Sequence, residues 1–420
     1  MLTVTRPVRR WAVLGGAIAI LLCTGVIYAF SVFAGPLRSE HGWTMAQVML
    51  AFTINGAVAP IPMILGGMVV DRGGARISIL AGALLFVAGF ILTGQADTLT
   101  ELYVSYGLIA GLGQGFAYSG CLSNTMKLFP DRRGLAAGLI TGGMGAGTVV
   151  GAPVAERLIA TSGLANTFLY LGLAYAVIVV VGWSFIRAAP EGYTPPGWTP
   201  PASSGPVVDV SWSGMVRTST FYFIFAMLFL GAFSGLMIAS QASLIGTSMF
   251  GLGAATAAGF VSLYSACNAA GRLAWGAVSD RLGYLRAIIL IYAVVGLSML
   301  TLVTGHGRVA FTVGIVGLGL CFGGVMGVFP ALVMKSFGPR HQGANYGIMF
   351  TAYSLAAFFG PRIAADLSVA NGGDYTKAFV AAIILAVAGV LVTSLFARSR
   401  TSKEGESRSS LPPSTPATGG

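Results

Sequence analysis

The chain has 420 residues, of which 55% are hydrophobic and 9% charged, and its formal net charge is +11. A soluble domain carries about 25% charged residues, so this composition excludes a water-soluble surface. The Lys and Arg residues concentrate at both termini and in alternate gaps between apolar stretches. This asymmetry is typical of a multi-pass protein of the cell (inner) membrane with both termini in the cytoplasm, and it explains the positive charge without a nucleic-acid partner.

Apolar stretches follow one another along the chain, and each is long enough for a bilayer-spanning helix of about 20 residues. They cover residues 11–35, 47–70, 76–95, 101–127, 134–157, 166–187, 221–245, 252–279, 286–304, 308–335, 343–366 and 376–397. A β-barrel would instead show alternating stretches of about 10 residues. The sequence therefore predicts an all-α membrane protein whose twelve transmembrane helices contact the lipid bilayer.

Two stretches differ in composition from the rest. Residues 188–219 contain six prolines separated by Ser and Gly, which is typical of an extended, solvated linker. We expect it to lie in the cytoplasm and to join a six-helix bundle of residues 1–187 to a second bundle of residues 220–397. Residues 398–420 are polar and rich in Ser, Pro and Gly, so they are predicted to form a disordered cytoplasmic tail.

Two loop motifs recur in the second half of the chain. The segment 67–76 (GMVVDRGGAR) is repeated as 276–286 (GAVSDRLGYLR), and their aspartates are 280 − 71 = 209 residues apart. The segment 127–134 is repeated as 335–343, and the final glycines are 343 − 134 = 209 residues apart. The common offset predicts a duplicated six-helix unit.

The first of these motifs resembles the G-x-x-x-D-R-x-G-x-R loop of the major facilitator superfamily. The resemblance covers residues 11–397 and implies alternating access, in which two halves rock about a central site. It also implies a cytoplasmic gate made of Gly67, Asp71, Arg72, Arg76, Gly276, Asp280, Arg281 and Arg286. We expect Asp71 and Asp280 to accept hydrogen bonds from nearby Arg side chains and helix N-termini, which would latch one state.

Arg272 is the strongest candidate for a functional residue, because a charge inside a membrane-spanning helix is costly unless it is used. Tyr264, Asn268 and Arg272 are spaced four residues apart and therefore share one face of the eighth helix. No Asp or Glu lies deep in any predicted helix. Since a guanidinium binds a carboxylate through two parallel hydrogen bonds, we expect a site for a small organic anion. The alternative is a structural Arg paired with backbone carbonyls or a carboxylate.

Tyrosine and amide side chains in other stretches are predicted to complete this site. Tyr346 and Tyr353 lie seven residues apart on one face of the eleventh helix. A buried phenol needs a hydrogen-bond partner, and a carboxylate substrate would provide one. The predicted substrate-binding residues are Arg272, Tyr28, Tyr118, Asn268, Tyr353, Gln114 and Tyr264.

A narrower resemblance involves two of these helices. Residues 25–43 (GVIYAFSVFAGPLRSEHGW) are similar to the first helix of the oxalate/formate antiporter family and of related monocarboxylate transporters. Residues 268–272 (NAAGR) resemble their eighth helix, whose Arg binds the substrate carboxylate, and Tyr118 matches the family's aromatic residue in the fourth helix.

Departures from these families refine the expectation. The oxalate exchanger carries a Lys in its eleventh helix where this chain has Tyr353, so Arg272 is the one cation expected in the site. A single cation favours a monocarboxylate such as lactate, pyruvate or formate over a dianion. Animal monocarboxylate transporters use an Asp for proton coupling where this chain has Asn268, which cannot carry a proton. The coupling partner, a proton or a counter-anion, stays open.

Charged residues at the outer ends of two helices are a further candidate cluster. Glu156 and Arg157 end the fifth predicted helix, and Arg362 and Asp366 lie near the end of the eleventh. We expect these four side chains to form an ion-pair cluster at the periplasmic side that ties the two helices together, with a role as a gate as the alternative.

Other functions were weighed against transport of an organic anion. A proton-coupled multidrug exporter shares the fold, but such proteins carry R-x-x-Q-G in the fourth helix where this chain has Gly111 ahead of Gln114. A non-transporting membrane sensor would bind ligand at Arg272 without flux. An enzyme would need a nucleophile–base pair or metal ligands, and His41, His306 and His341 lie in or near loops. We therefore expect a monomeric transporter without cofactor or metal.

Overall fold

The computed structural model describes residues 9–199, 209–239 and 241–409, and in that part of the chain the regular structure is helical. The long helices of the first half are α1 (Arg10–His41), α2 (Met45–Asp71), α3 (Ala75–Thr93), α4 (99–128), α5 (Arg133–Ser162) and α6 (Leu164–Phe185). Those of the second half are α7 (Ser219–Ala239), α8 (Ala254–Leu282), α9 (Tyr284–Thr304), α10 (Gly307–Phe337), α11 (Gln342–Val369) and α12 (Thr376–Ser409). Two short helices, Trp212–Met215 and Ala242–Ser248, lie on either side of α7.

The helices agree with the membrane character of the sequence. In the described part of the chain, 10 helices are long and apolar enough to cross a membrane. α4 and α8 have comparable length but carry more polar side chains, including Gln114 and Arg272. The prediction of an all-α, multi-pass membrane protein is confirmed.

The helix ends differ from the predicted boundaries at two places. The seventh apolar stretch was expected to reach residue 245, whereas α7 ends at Ala239 and a separate helix begins at Ala242. Gln241 interrupts the apolar run there, and its Oε1 atom accepts a hydrogen bond from the Tyr375 hydroxyl at 3.2 Å.

The second difference concerns the predicted tail. α12 continues to Ser409, beyond residue 398, where disorder was expected to begin. No proline occurs between residues 398 and 411, so the backbone can extend the helix that starts in the apolar segment. Residues 410–420 of the predicted tail lie outside the described part.

Irregular turns interrupt α1 and α4 near the middle of the molecule. Residues Gly25–Ala29 of α1 form a 3-10 helix, and Tyr103–Ala110 of α4 form a π-helix. The Tyr106 hydroxyl donates to the Ile27 carbonyl at 2.8 Å, and the Thr148 hydroxyl donates to the Gly25 carbonyl at 3.3 Å. Side chains of α4 and α5 thus satisfy carbonyls that the irregular turn of α1 leaves available.

Glycines allow the central helices to approach each other closely. A Cβ atom on Gly25 would collide with the Met144 carbonyl of α5, and one on Gly147 would collide with the Leu22 carbonyl of α1. Without a hydrophobic driving force between helices in lipid, such close backbone packing is a main source of helix association. The positions of α1 and α5 therefore depend on these glycines.

We expect Gly25→Ala to lower the thermal stability of the purified protein, by an amount equivalent to about 1–3 kcal/mol, because the new methyl group must displace α5. Gly15→Ala is the matched control, since no atom lies within 4 Å of a Cβ placed there on the same helix. Thermal unfolding in detergent measures both. Equal melting temperatures for the two variants would contradict the close contact of α1 and α5.

Candidate functional site

Arg272 lies on α8 and points across the molecule toward α5. Its Nε atom donates to the Asn268 Oδ1 atom at 2.9 Å, and its Nη1 atom donates to the Thr141 carbonyl at 2.6 Å. The side chain is only half-buried, and its Nη2 atom has no hydrogen-bond partner among the described residues. One side of the guanidinium is therefore held by the protein, and the other is free for a ligand.

Glycines on the neighbouring helices allow their backbones to approach the backbone of α8 closely around Arg272. A Cβ on Gly323 of α10 would collide with the Asn268 carbonyl, and one on Gly327 would lie 2.5 Å from the Arg272 carbonyl oxygen. On the α5 side, a Cβ on Gly145 would lie 3.7 Å from the Arg272 Cζ atom. Small residues on both sides leave room for the guanidinium between α5 and α8.

The charge of Arg272 is not neutralised by a carboxylate. The ion pairs of the described residues are Arg10–Asp131, Lys127–Asp71 and Arg132–Asp131, so Arg272 has no acidic partner within 4.0 Å in this part of the chain. An amide and a carbonyl oxygen solvate the cation only partly. A small anion at the free side would complete its coordination.

The four predicted tyrosines lie in the neighbourhood of this charge. Tyr28, Tyr118, Tyr264 and Tyr353 all lie close enough to Arg272 for an electrostatic interaction. Tyr28 lies in the 3-10 turn of α1 and is 42% exposed, so its ring lines an accessible space. The hydroxyl of Tyr264 already donates to the Gly235 carbonyl at 3.0 Å, which leaves it less free for a ligand than the others.

Aromatic rings form a continuous wall beside the site. Tyr353 stacks on Phe350 with ring centroids 4.6 Å apart and on Phe322 with centroids 6.4 Å apart. Phe322 in turn stacks on Tyr264 at 6.4 Å. The wall gives the space beside the guanidinium an apolar side, which strengthens the interaction of Arg272 with an anion.

The fourth helix contributes two of the predicted residues and brings a further one into the site. Gln114 and Tyr118 are buried one turn apart on α4. Tyr346 of α11, which was not among the predicted site residues, lies beside Tyr118 and within electrostatic range of Arg272. Its hydroxyl is buried and has no hydrogen-bond partner among the described residues. A tyrosine in an apolar helix has no sequence signal that separates this role from packing.

The basic end of the molecule is the end formed by the loops that contain Arg72, Arg132 and Arg281. There the Asp71 carboxylate of α2 accepts hydrogen bonds from the backbone N–H groups of Gly343 at 3.0 Å and Ala344 at 2.9 Å. These groups form the N-terminus of α11, where the helix dipole favours a negative charge. Lys127 of α4 also donates to Asp71, at 3.0 Å.

The Asp280 carboxylate makes the equivalent contact from the second half of the chain to a helix of the first half. It accepts hydrogen bonds from the backbone N–H groups of Gly134 and Leu135, both at 2.8 Å, at the N-terminus of α5. The aspartates and the helix starts they bind are both related by the 209-residue offset, since 280 − 71 = 209 and 343 − 134 = 209. Each half of the chain thus caps a helix of the other half.

The two glycines of the loop motifs allow these contacts. A Cβ on Gly67 would collide with the backbone of Gly343, and one on Gly276 would collide with the Gly134 carbonyl. At both places the helices of the two halves therefore touch through their backbones.

The sequence predicted that both helix N-termini and arginines donate to the two aspartates. The helix N-termini do so, whereas the four arginines of the loop motifs form no hydrogen bond to the aspartates in the described part of the chain. Arg72, Arg281 and Arg286 are exposed, and Arg76 lies 4.2 Å from the centre of the Trp183 ring. Backbone N–H groups and Lys127 take the place of the arginines, because the aspartates point at helix N-termini that are already positive.

The predicted ion-pair cluster of Glu156, Arg157, Arg362 and Asp366 is also not formed. All four side chains are exposed, and no salt bridge among the described residues includes any of them. The reason is the separation of helices at the far end, the end opposite the basic end. In the described part, α5, which carries Glu156 and Arg157, does not pack closely against the far half of α11 (Thr351–Val369), which carries Arg362 and Asp366.

We expect Asp71→Ala to speed amide hydrogen exchange at Gly343 and Ala344 by about tenfold, because these groups lose a charged acceptor. Asp280→Ala is expected to act instead on Gly134 and Leu135. Arg72→Ala is the control, because its exposed side chain caps neither helix. Mass spectrometry of the exchanging peptides measures all three variants. If either Asp variant changed both helix starts equally, the crossed capping would be wrong.

Comparison with known proteins identifies the family. The profile of the Major Facilitator Superfamily matches residues 16–361. The chain is 29% identical over 395 residues to the oxalate:formate antiporter of Oxalobacter formigenes, covering 93% of this chain and 92% of that protein. It is 25% identical over 388 residues to apicoplast pyruvate carrier 1 of Toxoplasma gondii, covering 77% of this chain and 69% of the carrier.

A solved structure shows the same fold. The human organic anion transporter MFSD10 matches 93% of this chain over 100% of its own length, with a TM-score of 0.68 and 16% sequence identity. The profile match spans most of the chain, from within α1 to within α11. The protein therefore belongs to the Major Facilitator Superfamily, whose members are membrane transporters and not enzymes.

Proposed function

We propose that the protein is a secondary active transporter of a small monocarboxylate, with Arg272 as the anchor of the substrate carboxylate. The observation that carries this proposal is that the protein satisfies only part of the hydrogen-bonding capacity of the Arg272 guanidinium. Its Nε and Nη1 atoms have protein partners, its Nη2 atom has none among the described residues, and no described carboxylate pairs with it. A planar guanidinium in a partly desolvated site selects a carboxylate of matching geometry.

The named activities of two relatives support an organic anion as substrate. One relative is an oxalate:formate antiporter and the other a pyruvate carrier. In this chain, the side chains near Arg272 are neutral phenols and amides. A second carboxylate would lack a cation, so a monocarboxylate of the lactate, pyruvate or formate type fits better than a dianion.

Tyr28, Tyr118 and Tyr353 would contact the bound anion as hydrogen-bond donors, and Gln114 would support Tyr118 from one turn away. Asn268 would hold the guanidinium in place through its Nε atom. Tyr264 contributes mainly its ring, because its hydroxyl donates to Gly235. In this proposal, all of the predicted substrate-binding residues act on one bound anion.

Transport would follow alternating access between two six-helix repeats, α1–α6 and α7–α12, with twelve helices crossing the inner membrane. The crossed capping of α5 and α11 supports the repeat, and the positive-inside rule puts the basic end and both termini in the cytoplasm. The cytoplasmic end is then closed and the site is accessible from outside, consistent with the exposed Tyr28. Asp71 and Asp280 would release their helices when the carrier opens inward.

The coupling partner is a counter-anion in this proposal. Asn268 replaces a proton-carrying residue beside Arg272, and His41, His306 and His341 lie outside the central part of the helices. The site therefore offers no group that changes its charge near neutral pH. Exchange of one monocarboxylate for another requires no such group, and a monomer is sufficient for it.

We expect Arg272→Lys to lose at least about nine tenths of transport with normal expression, because an ammonium cannot reproduce the planar fork. The measurement is counterflow of labelled pyruvate, lactate, formate and oxalate into proteoliposomes. Arg281→Lys is the matched control, since Arg281 is exposed at the basic end.

Near-wild-type flux in Arg272→Lys would disprove the anchor role. Uptake of none of the four acids by the wild type would favour export of another solute or a sensor without flux, and a drug-susceptibility panel would separate these two.

A further inference from the structure

Gly145 differs from the other glycines of its helix, α5, which contains seven. A Cβ atom placed on any of the other six would lie 3.0 Å or less from an atom of a neighbouring helix. For Gly145 the nearest atoms would be the Ala269 Cβ and the Arg272 Cζ, both 3.7 Å away, which is an ordinary van der Waals contact. Close packing of helices therefore accounts for the other six glycines but not for Gly145.

The backbone does not account for a glycine at this position either. α5 is helical throughout Arg133–Ser162, and Gly145 does not have a positive φ angle. An alanine would fit without displacing a neighbour, and alanine forms helices more readily than glycine does. The effect of the glycine is thus to leave a small space empty beside α5.

This space borders the guanidinium of Arg272. Gly145 lies one helical turn after Thr141, whose carbonyl accepts a hydrogen bond from the Arg272 Nη1 atom at 2.6 Å. A Cβ on Gly145 would lie 3.7 Å from the Arg272 Cζ atom and 3.8 Å from its Nε atom. Gly145 and Arg272 are both partly exposed. A small molecule that contacts Gly145 is therefore within reach of the guanidinium.

We propose that Gly145 is a specificity-determining residue, whose missing side chain leaves room for the group attached to a carboxylate that binds Arg272. The size of residue 145 then limits the size of the acid. This proposal rests on the proposed function and narrows its substrate class to monocarboxylates with a carbon chain, such as pyruvate, rather than formate.

The geometry of the ion pair makes the size of residue 145 important. Two parallel hydrogen bonds fix both the position and the orientation of a carboxylate on a guanidinium. The group attached to the carboxylate then has a fixed direction and cannot move away from an added side chain. One methylene group in a filled pocket changes discrimination by about tenfold or more. Formate carries only a hydrogen atom at this place, so a side chain at position 145 affects it least.

The test measures the affinities of pyruvate and formate by calorimetry on the full-length protein in detergent. Gly145→Ala should bind pyruvate about fivefold more weakly than wild type, and Gly145→Val at least about twentyfold more weakly. The affinity for formate should stay within about twofold in both variants. The melting temperature of Gly145→Ala should not fall, because its Cβ meets no atom closer than 3.7 Å.

Gly143→Ala is the matched control, because it adds the same methyl group to α5 two residues away. The Cβ there faces Ile18 of α1 and not the guanidinium. This variant should leave the ratio of pyruvate to formate affinity unchanged. A change in the ratio that is confined to position 145 separates selectivity from a general effect on the packing of α5.

An unchanged ratio in either Gly145 variant, an equal change in Gly143→Ala, or binding of formate alone to wild type would overturn this inference. The proposed function would stand in these cases, provided that Arg272→Ala abolishes binding. Binding that survives Arg272→Ala, or no binding of either acid to wild type, would overturn the proposed function and this inference together.

Discussion

The central constraint on this molecule is the cost of placing one cation, Arg272, between apolar helices. A guanidinium in that position must be solvated by the protein, by water or by a ligand. Here the protein supplies an amide oxygen from Asn268 and a carbonyl oxygen from Thr141, and no described carboxylate. Because the two oxygens come from α8 and α5, the same side chain also joins the two halves of the chain.

The rest of the architecture makes that arrangement possible. Glycines let α8 approach α10 and α5, so that the guanidinium is confined to a narrow space. At the basic end, Asp71 and Asp280 each bind the N-terminus of a helix from the other half, and Gly67 and Gly276 allow the backbones to meet there. These contacts are polar and local, so they can break without disrupting the packing inside either half.

Sequence reasoning found the features that follow from composition and charge. Long apolar stretches predicted the helices, and a charge among apolar residues marked Arg272 and its neighbour Asn268. It noticed Tyr346 on the same helix face as Tyr353 but left it out of the predicted site residues, because a phenol in a helix has the same pattern whether it packs or binds. It expected both arginines and helix N-termini to bind the two gate aspartates; in the described part of the chain the helix N-termini do so and the arginines do not, and which helix start each aspartate reaches depends on tertiary structure. The expected cluster at Glu156 requires a closed far end, which the sequence does not specify.

The most direct test of the account is a distance between the bound substrate and Arg272. Solid-state NMR on the protein in lipid, with isotope-labelled pyruvate and labelled arginine guanidinium nitrogens, measures it. The account predicts a carboxyl carbon within about 4 Å of guanidinium nitrogens, with this signal absent in Arg272→Lys. A short distance that persists in the variant, or saturating pyruvate with no short distance to any arginine, would contradict the central role of Arg272.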